Sequence, residues 1–100
     1  MDIITFEQFH ASDGVDDWHP DGDGVRARFG TGDFATGARL FAMIAELADA
    51  ADHHPDVEVT YPAVTVHLVS HDAGGLTQRD AELAAAISRA AGELGIAAEQ

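Results

Sequence analysis

The chain has 100 residues, 46% hydrophobic and 23% charged, which supports one folded domain over residues 1–100 and argues against disorder. Five lysines and arginines stand against 18 acidic residues, a formal net charge of -13, so the surface repels phosphate backbones and no nucleic-acid partner is expected. Cysteine is absent, which removes disulfides, thiolate catalysis and cysteine-ligated metal, and no apolar run approaches the roughly 20 residues of a membrane span.

The acidity reads first as solubility or adaptation to salt. The start, Met1 to Glu7, lacks a basic region followed by an apolar run, so no secretory signal is read. With the missing cysteines this gives a cytoplasmic expectation and no membrane partner.

Ile3 to Ala11 suggests a short helix with Phe6 and Phe9 on one side, broken at Asp13-Gly14. Val15 to His19, which includes Trp18, reads as a short extended stretch. Asp21-Gly22-Asp23-Gly24 is a turn signal, and Val25 to Phe29 then alternates as a half-buried strand should. Asp33 is placed to cap a helix, and Phe34, Ala38, Phe41, Ile44/Ala45 and Ala48 recur at helical spacing as its apolar stripe to about Ala51.

Pro55 disfavours helical geometry at His54, so the chain leaves this helix at His53-His54. Val57 to Tyr61 and Val64 to Ser70 alternate on either side of a corner at Pro62, with Val64, Val66 and Leu68 facing the core. His71 lies just beyond the second of these strands, before the turn Ala73-Gly74-Gly75. Thr77 to Asp80 has capping-box spacing, and Leu83, Ile87, Ala90 and Leu94 form the stripe of a last helix ended by Gly95. The order α-β-β-α-β-β-α predicts an α+β fold: a four-stranded antiparallel sheet with three helices on one face. The bare face and the sheet edges invite a second copy.

Histidine is the side chain that ordinarily gains and loses protons near neutrality, so His53, His54 and His71 are the candidates for chemistry. A structural alternative places the pair at a helix end, where imidazolium complements the dipole. A metal site built with His67 is disfavoured: along one strand, positions 67 and 71 lie about 13 Å apart. No metal is therefore expected.

Asp49, His53-His54-Pro55, Tyr61, His71 and Asp80, with their spacings, resemble the pterin-4a-carbinolamine dehydratase family. So do Trp18 and the run from Arg28-Phe29 through Asp33-Phe34 to Phe41. The resemblance covers about residues 15 to 95. Asp49 stands where glutamate is common, and Pro62 where asparagine is usual.

The resemblance implies loss of water from a 4a-hydroxytetrahydropterin, such as 4a-hydroxytetrahydrobiopterin, to give the quinonoid dihydropterin. That reaction recycles the cofactor of pterin-dependent hydroxylases, which become the pathway partners. It also implies a homodimer or homotetramer with no cofactor, the pterin being substrate. It points to His53, His54 and His71 as catalytic, and to Asp49, Asp52, Ser70, Asp72, Asp80 and Trp18 as substrate contacts. For Trp18 a core position and a ring-stacking wall both stay open. Asp80 can cap its helix and orient a histidine together. Two other functions are compatible: a non-catalytic dimerisation module of the same fold, and action on another pterin, as in molybdopterin metabolism.

Overall fold

The computed structural model describes residues 2–99. The chain runs α1 (Phe6–His10), β1 (His19–Asp21), β2 (Gly24–Gly30), α2 (Phe34–Ala51), β3 (Asp56–Val59), β4 (Ala63–Leu68), α3 (Gln78–Glu93) and β5 (Ala97–Glu99). All strand pairings are antiparallel, in the order β1-β2-β4-β3, and the α+β architecture is the one expected. The sheet has five strands rather than four. β5 pairs with the far half of β2, Arg28 opposite Glu99 and Gly30 opposite Ala97, on the edge where β1 pairs with the near half. A three-residue strand carries too little alternation to be read from sequence.

The alternation of β2 and β4 fixes the layering. Val25, Ala27 and Phe29, with Val64, Val66 and Leu68, are buried and join one core with Phe9, Trp18, Leu40, Ile44, Leu83 and Ile87. All three helices thus contribute to a single apolar layer on one face of the sheet. Within this layer Trp18 is 1% exposed, sets its ring edge-on to Phe29, and donates from Nε1 to Ser88 Oγ at 3.0 Å. The open question about Trp18 closes on the core side.

Other boundaries shift for local reasons. Trp18 N–H bonds Val15 O, so residues 15–18 form a turn, and the first strand starts only at His19. Pro20 is tolerated because β1 lies on an edge. Gly22, at φ 58°, sits in the two-residue loop between the paired Asp21 and Gly24. Thr60 N–H bonds Ala63 O, so β3 stops at Val59 and Tyr61 is exposed at the tip of the turn.

The largest correction concerns α2. Its buried face is Gly37, Leu40, Ile44 and Ala48, whereas Phe34 and Phe41 are 55% and 44% exposed. The helix is rotated by about one residue from the expected stripe. Gly37 lies on the sheet-facing side, where a Cβ would stand 3.4 Å from Val59 and Val64, ordinary van der Waals contact.

Gly24 is under a harder constraint, because a Cβ would lie 2.2 Å from Leu68 O, a backbone atom of the neighbouring strand. We expect Gly24→Ala to destabilise the protein by about 1–3 kcal/mol, the usual cost of overpacking, read as a lower urea midpoint with unchanged slope. An unchanged midpoint would show that β2 and β4 do not pack this closely.

Candidate active site

The site starts where α2 ends. Asp52 adopts φ 50°, ψ 43°, the one non-glycine residue with positive φ among those described. Its N–H bonds Asp49 O and that of His53 bonds Ala48 O, a helix-ending pattern in which the left-handed position usually holds glycine. Aspartate is among the few side chains that tolerate it, at a cost of about 1–2 kcal/mol for an ordinary residue. The reversal sends the two histidines apart: His53 turns inward, 8% exposed, and His54 outward.

His53 meets the first turn of α3. Its Nε2 lies 2.6 Å from Oδ1 of Asp80, which has no exposed surface. The other carboxylate oxygen, Oδ2, accepts the Ser70 hydroxyl at 2.8 Å and the Thr77 backbone N–H at 2.9 Å. Thr77 is the N-cap of α3 and Asp80 its third residue, so the capping spacing is also what aims the carboxylate. Ser70 gives its one proton to Asp80, so the Thr77 hydroxyl donates to Ser70 Oγ at 2.9 Å.

Counting protons assigns the histidine. Asp80 is an acceptor on both oxygens, so His53 carries hydrogen on Nε2. Nδ1 has no partner among the described residues and is not one of the buried, unpartnered atoms. In the neutral ring Nδ1 is then the accepting nitrogen. An imidazole so held can take a proton at Nδ1 while the carboxylate stabilises the resulting cation.

The other candidates lie around this network. His71 follows Ser70 directly and is exposed in the turn closed by the Ser70–Gly75 bridge. Asp72, next in the chain, accepts from Arg79 Nη2 at 2.7 Å. That hydrogen bond holds the Asp72 carboxyl below the usual carboxylate range. His54 Nε2 lies 3.0 Å from Asp49 Oδ1, both exposed, beside a hollow of about 170 Å³ that also includes Phe41, Ala48, Pro55 and Val57. His67 stands apart on the open sheet face, its ring against Asp21 O at 3.2 Å.

The structure gives the three histidines different surroundings: His53 is buried against Asp80, while His54 and His71 are exposed. His54 lines the hollow beside Asp49, while His53 meets the first turn of α3 and His71 lies in the turn that precedes that helix. What joins His53 and His71 is a hydrogen-bonded path: His53 to Asp80, Asp80 to Ser70, and Ser70 to its chain neighbour His71. Sequence reasoning missed Thr77 and Arg79 as members of the site. The capping spacing was a usable signal for Thr77; Arg79 had none. Among the described residues no group of three or more acidic or histidine side chains is arranged to hold a metal ion, and no helix is long and apolar enough to cross a membrane.

Fold and site together define a small α+β protein with a histidine anchored on a buried carboxylate. Residues 5–90 match the model of the family described as pterin 4 alpha carbinolamine dehydratase. Provisionally named pterin-4-alpha-carbinolamine dehydratases are similar to it. One from Picosynechococcus sp. is 44% identical over 68 residues, covering 68% of this chain and 74% of the relative. One from Halobacterium salinarum is 38% identical over 69 residues, covering 69% and 76%. The crystal structure of a transcriptional coactivator/pterin dehydratase from Brucella melitensis superposes with a TM-score of 0.80 at 30% identity, covering 90% of this chain and 99% of that one. The chain belongs to the pterin-4a-carbinolamine dehydratase family.

Two measurements check this geometry. Asp80→Ala strands the Ser70 hydroxyl, the Thr77 N–H and His53 Nε2, and should lower unfolding free energy by about 1–3 kcal/mol, against less than about 0.5 kcal/mol for the exposed His54→Ala. In a carboxyl-carbon NMR titration Asp72 should ionise below the usual carboxylate range and move up toward it in Arg79→Gln. The sign follows from a depressed folded pKa: the pair's contribution is complete above the unfolded pKa of Asp72 and is lost as pH falls through the folded one.

Proposed function

We propose that the protein is a hydro-lyase that dehydrates a 4a-hydroxytetrahydropterin, 4a-hydroxytetrahydrobiopterin or a close relative, to the quinonoid dihydropterin. The C4a hydroxyl takes a proton and leaves as water with the electrons of the C–O bond. The lone pair on N5 closes a C=N bond to C4a, and the N5 proton passes to a base. One proton enters and one leaves, so the reaction needs no redox partner.

Family membership supports the reaction class. The observation that carries the proposal is the 2.6 Å contact between His53 Nε2 and a buried carboxylate whose second oxygen is already occupied by two donors. We assign His53 Nδ1 as the base, because the Asp80 contact makes it the accepting nitrogen and stabilises the cation it becomes. His71, exposed and able to exchange protons with water, is assigned the acid. His54 with Asp49, and Asp52 beside them, are assigned to substrate binding, while Ser70 and Asp72 act on the histidines rather than on the pterin.

A second reading, a docking module for other chains, is favoured by the exposed Phe34 and Phe41 on α2 and by the coactivator name of the Brucella neighbour. It can hold together with catalysis.

The test follows loss of a 4a-hydroxytetrahydropterin with purified protein. His53→Ala should lower kcat by about 10²–10⁴-fold, the range for a general acid or base, with KM changed far less. A wild-type protein without activity would leave the docking reading in possession, and a variant with unchanged kcat would reject His53 as the base.

A further inference from the structure

We propose that Arg79 is a positioning residue for His71, holding through Asp72 the turn that carries it; this rests on the dehydratase reading above. The turn closes on itself, with the N–H groups of Ala73 and Gly74 on Ser70 O and a Ser70–Gly75 bridge. Those bonds shape the turn, and Ile4 N–H on Leu76 O ties its far end to the N-terminal segment. Two side-chain contacts join the turn to the first turn of α3, one on each side of His71. Ser70 Oγ reaches Thr77 Oγ1 and Asp80 Oδ2, and Asp72 Oδ1 meets Arg79 Nη2 at 2.7 Å.

His71 is thus bracketed, and the segment that brackets it also holds His53 through Asp80. One helical turn fixes the backbone positions of both histidines. Arg79 suits the task because it is only half-exposed. Its Nε is buried without a partner among the described residues, so the guanidinium lies edge-in against the protein and has little freedom to swing away from Asp72. A planar guanidinium keeps this orientation better than a flexible ammonium does. The Gly74 end of the turn, at φ 81°, offers no compensating rigidity if the Asp72 contact is lost.

The test is kinetic and spectroscopic. With active wild-type protein, Arg79→Ala and Asp72→Asn should each lower kcat about tenfold while KM changes little, a modest misplacement by the standard that about 1 Å can cost a hundredfold. Arg79→Lys should recover part of the loss. In a His71→Ala background, Arg79→Ala should change kcat by less than about twofold, because the residue acts only through the histidine already removed. A general loosening of the fold would instead multiply the defects, and that result overturns the proposal. So does an Arg79→Ala enzyme with wild-type kcat.

The His71 amide and ring NMR signals give a reading that needs no activity. They should shift or broaden in Arg79→Ala while those of His53 stay in place. Unmoved His71 signals reject the clamp whether or not the protein is a dehydratase, and an inactive wild type with moved signals rejects only the reaction. Should Arg79→Ala fail to fold, the exposed Asp72→Asn supplies the same readings.

Discussion

Everything at the site depends on satisfying one buried carboxylate. Asp80 has no exposed surface, and a charge removed from water persists only when its lone pairs are occupied. Three donors occupy them: His53 Nε2, the Ser70 hydroxyl and the Thr77 N–H. Because these donors come from the end of α2, the end of β4 and the cap of α3, the carboxylate also ties three elements to one point. The requirement that makes Asp80 stable is the one that orients the histidine, so a structural cap and a site residue are the same group.

The rest of the fold places these ends together. Antiparallel pairing of β2 with β4 sets the end of β4 beside the start of β2, Leu68 opposite Val25, and packing of α2 on α3 brings the last turn of one near the first turn of the other. The left-handed Asp52 then separates adjacent histidines into different environments, one against Asp80 and one against Asp49 in solvent. Adjacent histidines with different partners can differ in role though they are chemically identical. The strained position is the means of that division.

The sequence made the strong periodicities legible. β2, β4, α2 and α3 follow from alternation or helical spacing, and Thr77-x-x-Asp80 names the cap that anchors the site. What stayed hidden was set by contacts distant in sequence. The face α2 buries against the sheet is Gly37, Leu40, Ile44 and Ala48, so Phe34 and Phe41, on the more hydrophobic stripe by sequence, remain outside. β5 exists because Arg28 to Gly30 have a free edge, not because residues 97–99 prefer extension. The Ser70 bond to Asp80 and the Arg79 bond to Asp72 both cross the turn at His71, and no propensity reports such pairs. The motif marked which histidines matter, whereas their partners appear only when the chain is folded.

The account stands on Asp80 holding His53 by Nε2 and leaving Nδ1 to accept a proton. Long-range ¹⁵N–¹H NMR of the His53 ring, recorded where the ring is neutral, reads this directly. Hydrogen on Nε2 and a bare Nδ1 in the wild type, with that preference lost in Asp80→Ala, is the result expected. A His53 ring that carries its hydrogen on Nδ1, or whose tautomer ignores the loss of Asp80, would contradict it.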